Sequence, residues 1–309
     1  MIINKPKFWD KRNIDFFALL LLPISLIYIV INFIKNINNK GKKFNIPIIC
    51  VGNIYIGGTG KTPLAIEIYK ILKKIKQKPG FVKKYYKDQK DEQLLLKSNG
   101  ETFLDVSRIN AIKSLTKKNK NIAILDDGLQ ENKINYDLSI ACFNEIQWIG
   151  NGLIIPAGPL RESLEKLKKI NLVFINGKNN SKINKIIKLK NPKIKIFNTR
   201  YKFLNLKKIK KKRVIAFAGI GNPSNFFSQL KDNNIKLINT FSFPDHYKYT
   251  YNDLKKLIKE AKNKKAILLT TEKDFLRLDK KYKKKINFLS IKLIINKKKL
   301  FIQELKKII

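Results

Sequence analysis

Residues 52–63 read GNIYIGGTGKTP, a set of types and spacings suited to holding a phosphate. Gly57, Gly58, Thr59 and Gly60 let the backbone curl until its N–H groups face phosphate oxygens. Lys61 reaches toward terminal phosphates, and the hydroxyl of Thr62 suits a divalent cation. The general phosphate-loop pattern puts a glycine five positions before Gly60, and Tyr55 stands there. Paired glycines at 57 and 58 supply the turn instead.

A phosphate loop needs a carboxylate for its metal, and AILDDGLQ offers Asp126 and Asp127 at the end of an apolar run. Taken alone, the two acids read equally well as a solvated turn, because Gly128 follows. Beside the loop the metal role is the better reading. Three further stretches carry groups for an acceptor side. PAGPLRES presents Arg161 and Glu162, KDEQLLL presents Asp91 and Glu92, and FPDHYKY holds the only histidine, His246, next to Asp245. A lone histidine is more often structural than catalytic, yet a kinase does use a carboxylate or imidazole near the acceptor hydroxyl.

These residues need elements to position them. IPIICVGN (46–53) is short, β-branched and closed by Gly52 and Asn53, as a buried strand is. GKTPLAIEIYKILKKI (60–75) repeats Leu64, Ile68, Leu72 and Ile75 at helical spacing. NIAILDD, DLSIACF and NLVFING are further strands, LIIPAGPLRES opens as another, and GFVKKYYKD continues the series. Strands alternating with helices predict an α/β fold, a mostly parallel sheet flanked by helices of the P-loop NTPase kind. After the lysine run at 206–213 come VIAFAGI, a helix around 223–232, a strand near 235–240, a helix near 251–262 and AILLTTEKD, which make a smaller second α/β domain. The expected boundaries are 1–40 for an apolar anchor, 41–205 for the P-loop domain and 206–309 for the smaller one.

FFALLLLPISLIYIVINFI (16–34) is the one long apolar run, near the length that spans a bilayer core. Lys7, Lys11 and Arg12 precede it and Lys35, Lys40, Lys42 and Lys43 follow, so a membrane anchor among anionic headgroups competes with a buried core helix. Pro23 and Asn32 weaken a straight span. The net charge of +43 points to an anionic partner, but only six of the 66 basic residues are Arg. Such a lysine excess, with abundant Ile and Asn, reads as compositional drift at tolerant surface positions. Scarce Arg and the lack of a recognition motif argue against nucleic acid. Cys50 and Cys142 stand far apart, which fits a reducing cytoplasm without disulfides, and one histidine nearly excludes a His-based zinc site.

VGNIYIGGTGKTP, DDGLQ, PAGPLRES, FAGIGNPSNFF, FPDHY and TTEKD, in this order behind an apolar N-terminus, resemble the tetraacyldisaccharide 4'-kinases, membrane-associated kinases of lipid A biosynthesis. The resemblance covers nearly the whole chain, and the family's own loop carries a non-glycine residue where Tyr55 stands. It implies transfer of the γ-phosphate of ATP to the 4'-hydroxyl of a lipid A disaccharide 1-phosphate, with catalytic domains on the cytoplasmic face of a bacterial inner membrane. By the same resemblance Lys61 and Thr62 hold phosphates and Mg²⁺, and Asp126, Asp127 and Glu162 lie near the metal. Asp91 is the base toward the acceptor hydroxyl, and His246 is its partner, brought to it by domain closure. The family's Ser-Arg-Gly-Tyr is missing, and Lys83, Lys84 and Tyr85 stand in that region, with Lys83 or Lys84 as replacement charge partner. TTEKD is expected near the nucleotide. A membrane-associated ATPase or GTPase would share the loop and acids without needing PAGPLRE or PDH, and a nucleic-acid binder with a vestigial loop would need only the charge.

Overall fold

The structure, a computed structural model, describes residues 5–11, 13–37, 41–87 and 90–309, the side chains of 35–37 excepted. Arg12 and Lys40, and the side chain of Lys35, therefore lie outside the described residues. The chain forms two compact units that interleave in sequence. The larger takes Lys5–Tyr85, Gly100–Arg200 and Leu293–Ile309, and the smaller takes Tyr86–Asn99 and Tyr201–Lys292. A single cut near 205 thus misses two exchanges of chain, at 86–99 and at 293–309.

Twelve strands are present among the described residues: β1 Ile48–Gly52, β2 Pro79–Lys84, β3 Thr102–Asp105, β4 Ile122–Asp126, β5 Leu138–Asn144, β6 Leu172–Asn176, β7 Lys195–Phe203, β8 Arg213–Ala218, β9 Lys236–Ser242, β10 Ile267–Thr271, β11 Ile286–Leu289 and β12 Ile291–Ile295. Eight of them form one sheet in the order β12-β7-β6-β5-β1-β4-β2-β3. β1, β4, β5 and β6 are buried along their whole length. Their unbroken apolar runs are what a parallel strand covered on both faces requires. The helix Lys61–Lys74 covers one face, burying Leu64, Ala65, Ile68, Ile71 and Leu72. β1 lies between β4 and β5, in parallel with both, and Val51 faces Asp126. Here the strand order reverses, and the carboxyl ends of the strands at such a point form the usual ligand crevice of an open α/β sheet. Cys50 and Cys142 are free and buried.

The smaller unit holds the other sheet, in the order β11-β10-β8-β9, with every pairing parallel. Its helices start where the sequence provides caps. Asn222 accepts from the Asn225 N–H at the head of Pro223–Asp232, and Thr250 and Asp253 form a reciprocal capping box on Tyr251–Asn263. The helix Lys90–Lys97 packs on the helix Glu272–Arg277.

The N-terminal helix Phe16–Ile37 runs through Pro23 without a break. Phe16, Phe17, Leu20, Leu26, Ile27, Phe33 and Ile34 are exposed on it, while Ala18 and Ser25 are buried. Ser25 Oγ donates to the Ile154 carbonyl at 2.9 Å and accepts from the Ala157 N–H at 3.0 Å. The stretch 153–163, read as an apolar strand leading into a turn, has the turn but no strand, only a bridge between Ile154 and Leu160. Its apolar residues serve contacts to the N-terminal segment rather than a sheet, as the Trp9 indole bond to the Pro156 carbonyl at 2.9 Å also shows.

Candidate active site

In the larger unit β1 ends at Gly52 and the loop turns back over it. The buried Asn53 amide donates to the carbonyls of Tyr55 and Gly57, bracing the turn from inside. Gly57 and Gly60 take φ of 112° and 91°, backbone that disfavours any Cβ, and Gly60 caps the helix Lys61–Lys74 in that conformation. Tyr55 is fully buried. Its hydroxyl donates to Asp10 at 2.7 Å and receives Lys5, and its backbone bridges Leu160. The residue in the glycine's place is thus a pillar tying the loop to the N-terminal segment and to the turn at 153–163.

Lys61 and Thr62 face the ends of β4. The Thr62 hydroxyl donates to Asp126 Oδ2 at 3.1 Å, and Lys61 Nζ lies 3.5 Å from Asp127 Oδ1. Asp126 is fully buried and also receives Lys83 Nζ at 2.8 Å, itself 1% exposed. Among the described residues its other oxygen, Oδ1, has no hydrogen-bond partner, and neither does the buried Thr59 hydroxyl. Asp127 adopts a φ of 60°, and its carboxylate pairs with Arg161, whose Nη1 donates to both oxygens at 2.9 and 3.1 Å. Arg108 donates to the Asp127 carbonyl at 2.5 Å. Glu162 pairs with Lys166 at 2.9 Å and sits 3.4 Å from the Gln130 amide, which also donates to the Asn53 carbonyl at 2.9 Å. Thr62 therefore meets Asp126 directly, and each of the three acids is held by a cation: Asp126 by Lys83, Asp127 by Arg161 and Glu162 by Lys166. Among the described residues no three His, Cys, Asp or Glu side chains gather as a metal-holding group.

The smaller unit holds the second cluster. Asp91 and His246, placed by the sequence reading in different domains awaiting closure, belong to the same unit and meet at 2.9 Å through Oδ1 and Nδ1. Asp91 lies in the first turn of the helix Lys90–Lys97, where the helix dipole favours an anion. Burial alone would raise its pKa, but Lys273, the His246 hydrogen bond and Arg277 outweigh burial and hold it down at about 2. Lys273 lies 3.3 Å from Asp91, 3.2 Å from Glu92 and 3.3 Å from Asp245. Burial would lower its pKa; the three carboxylates more than offset this and raise it.

TTEKD thus turns out to serve Asp91. Lys273 binds the acidic cluster, and Asp274 locks the segment. The fully buried Asp274 accepts from the Gly219 N–H at 3.1 Å, the Tyr249 hydroxyl at 2.9 Å and the Thr271 hydroxyl at 2.7 Å, and it pairs with Arg277. Asp274→Ala strands the largely buried Arg277 and is expected to cost the smaller unit about 3–5 kcal/mol, the usual penalty for halving a buried ion pair. Urea unfolding followed on that unit's transition measures it, and a loss under about 1 kcal/mol, the worth of a surface pair, would show the network idle.

Sequence reasoning missed Tyr55, Arg108, Gln130 and Lys273 as site residues. Only Lys273 carried a signal, an adjacent Lys-Asp after a strand. The others act through partners remote in sequence.

A model of the family described as "Tetraacyldisaccharide-1-P 4'-kinase" matches residues 17–309. A tetraacyldisaccharide 4'-kinase of Pelagibacter ubique is 45% identical over 97% of this chain and 96% of its own. Those of Wigglesworthia glossinidia brevipalpis and Bartonella quintana are 37% and 31% identical, covering 94% and 90% of this chain and 84% and 86% of theirs. A crystal structure of LpxK from Aquifex aeolicus in complex with ATP matches with a TM-score of 0.72 at 23% identity, over 94% of this chain and 99% of that one, and shares the fold. The chain belongs to the tetraacyldisaccharide-1-P 4'-kinase family.

Proposed function

We propose that this kinase of lipid A biosynthesis, whose acceptor is the 4'-hydroxyl of tetraacyldisaccharide 1-phosphate, draws its phosphate from ATP seated on residues Gly57, Gly58, Thr59, Gly60, Lys61 and Thr62. The observation that carries the reading is the convergence of Lys61 and Thr62 on the two carboxylates at the end of β4, at 3.5 and 3.1 Å. The helix N-terminus and the loop N–H groups supply fixed positive potential for the phosphates. Lys61 leaves Asp127 for the γ-phosphate, and Arg161 keeps Asp127 neutralised when it does.

The donor set fits Mg²⁺. A threonine hydroxyl beside a buried aspartate with one unbonded oxygen is oxygen chemistry of the kind that ion takes. Thr62 and Asp126 would hold it, with Asp127 and Glu162 nearby as supporting acids. When bound, Mg²⁺ supplies neutralisation of charge on the transferring phosphoryl group. On the acceptor side, the Asp91–His246 pair receives the hydroxyl proton.

The exposed apolar helix, long enough to cross a membrane by length and composition, together with exposed Lys7, Lys11, Lys42 and Lys43 at its ends, supports attachment to an anionic inner membrane. The catalytic units would then face the cytoplasm, where ATP is supplied.

The test is transfer of label from γ-labelled ATP to tetraacyldisaccharide 1-phosphate in detergent micelles. Thr62→Ala and Asp126→Asn are each expected to lower kcat by about 10²-fold or more, the scale of a lost electrostatic group in a preorganised site. Either variant working at the wild-type rate would remove that residue from the donor site. ATP hydrolysed without a labelled lipid would point to a membrane ATPase instead.

A further inference from the structure

We propose that Lys83 is a resident counter-cation that makes the site select a metal–nucleotide complex over the free metal ion. Its ammonium neutralises Asp126 in advance, so a divalent cation is held there only in the company of phosphates. This rests on the reading of Thr62 and Asp126 as the pair that holds Mg²⁺.

Three observations carry it. Placement is fixed by the backbone: β2 pairs in parallel with β4, and Val82 lies opposite Leu125. The next residues, Lys83 and Asp126, therefore stand side by side at the carboxyl ends of adjacent strands. Lys83 Nζ meets Asp126 Oδ2 at 2.8 Å, and the two side chains are 1% and 0% exposed. The carboxylate is also divided. Oδ2 takes both Lys83 and the Thr62 hydroxyl, at 2.8 and 3.1 Å. Oδ1 is buried and has no hydrogen-bond partner among the described residues. One oxygen is thus left to a ligand, while the charge of the group is already matched.

Permanence sets Lys83 apart from its neighbours. Asp127 pairs with Arg161 and Lys61, and Glu162 pairs with Lys166. Those three cations are partly exposed, so water can take them up when a ligand arrives. Lys83 has no such exit, because an ammonium leaving its carboxylate inside the protein loses that anion without gaining water. At rest the four cations Lys61, Lys83, Arg161 and Lys166 face the three acids Asp126, Asp127 and Glu162. A free divalent ion meets an excess of positive charge there. Nucleotide phosphates meet the same excess as an attraction. Mg²⁺ is commonly bound through one or two carboxylates together with substrate phosphates rather than by a protein cage, and Lys83 enforces that dependence here. Asp126 stays open for the metal that arrives with ATP.

The test uses Mn²⁺, which takes the same oxygen donors, on the full chain in micelles. Binding of the ion alone is read from loss of the free-ion electron paramagnetic resonance signal. Binding of its preformed complex with a non-hydrolysable ATP analogue is read by calorimetry. Lys83→Met is expected to bind the ion alone about tenfold more tightly than wild type, or more, since a unit charge roughly 5 Å from a divalent ion is worth that much even at the dielectric of water. Its affinity for the preformed complex should not rise, because the phosphates have lost the same cation. In Lys83→Met/Asp126→Asn the gain for the ion alone should vanish with the anion. Thermal unfolding gives a second readout. Mn²⁺ without nucleotide should raise the midpoint of Lys83→Met and leave wild type nearly unmoved, because a ligand stabilises a fold only as far as it binds it. A variant that folds only when the ion is supplied is the same result in stronger form. A Lys83→Met protein that gains no affinity for the ion, or stays unfolded with it, overturns the proposal and leaves Lys83 as a structural partner of Asp126. A gain equally large for the preformed complex, or one that survives in the double variant, overturns it too. Wild type that binds the analogue equally well with Mn²⁺ and with a chelator overturns the metal reading of Thr62 and Asp126, and this proposal with it.

Discussion

Lys61→Ala is expected to lower kcat for phosphate transfer by about 10³-fold or more, between the loss of one oxyanion donor and the loss of an arginine finger. The expectation follows from where the side chain sits. Lys61 is the first residue of its helix, directly after Gly60 of the glycine loop. At rest it is 3.5 Å from Asp127, a looser contact than the 2.9 Å bond from Arg161 to the same carboxylate. Asp127 therefore keeps its tighter partner when Lys61 moves to the γ-phosphate, and the variant should fold as wild type does. Charge develops on the phosphoryl group in the transition state, so the loss should fall mainly on kcat. The loop N–H groups and the helix dipole remain to bind the nucleotide, and KM for ATP should rise less than kcat falls. Single-turnover transfer from γ-labelled ATP, beside a circular dichroism melt, separates these effects. A variant within tenfold of wild type would mean that another cation serves the γ-phosphate, and Lys61 would be a structural partner of Asp127.

The loop and its sheet were legible because their signals are local. The apolar runs of β1, β4, β5 and β6 announce strands covered on both faces, and Gly60-Lys61-Thr62 announces the helix start. The membership of 86–99 was not legible. The run Leu94, Leu95 and Leu96 does not say which unit the helix Lys90–Lys97 packs on, and the choice is made by partners far along the chain, His246 and Lys273 for Asp91. Tyr55 was opaque for the same reason. As a motif residue it is a missing glycine; its work is done by a hydroxyl bonded to Asp10 and a backbone bridge to Leu160. The acids show the limit most plainly. Asp126, Asp127 and Glu162 read alike as metal-side carboxylates. The structure gives each its own cation, Lys83 for Asp126, Arg161 for Asp127 and Lys166 for Glu162, and sets Asp126 alone against the Thr62 hydroxyl. The loose expectation of Lys83 or Lys84 as a charge partner finds its physical form in the pairing of Lys83 with Asp126.

That pairing gives an expected effect on stability as large as that of Asp274→Ala. Lys83 and Asp126 are 1% and 0% exposed and meet at 2.8 Å. Lys83→Met keeps the length and apolar stem of the side chain and deletes its charge. The buried carboxylate loses its 2.8 Å cation and keeps the Thr62 hydroxyl at 3.1 Å. Removing one member of a buried ion pair costs about 3–5 kcal/mol, because the remaining charge keeps its desolvation penalty. In a unit of this size that lowers the unfolding midpoint by about 6–20 °C. The decisive comparison is the double variant Lys83→Met/Asp126→Asn. With both charges gone no ion is stranded, so much of the lost stability should return, and the coupling should exceed about 1 kcal/mol, as for groups in direct contact. Phosphate transfer should not return with it, because a neutral amide does not replace the buried anion beside Thr62. Thermal unfolding by circular dichroism and the transfer assay, run on wild type, the two single variants and the double variant, read the two quantities separately. A Lys83→Met protein within about 1 kcal/mol of wild type would place the pair among contacts of surface strength. Stability regained without transfer would instead assign Lys83 to keeping a functional anion buried, with Asp126 kept at that cost for the phosphate it serves.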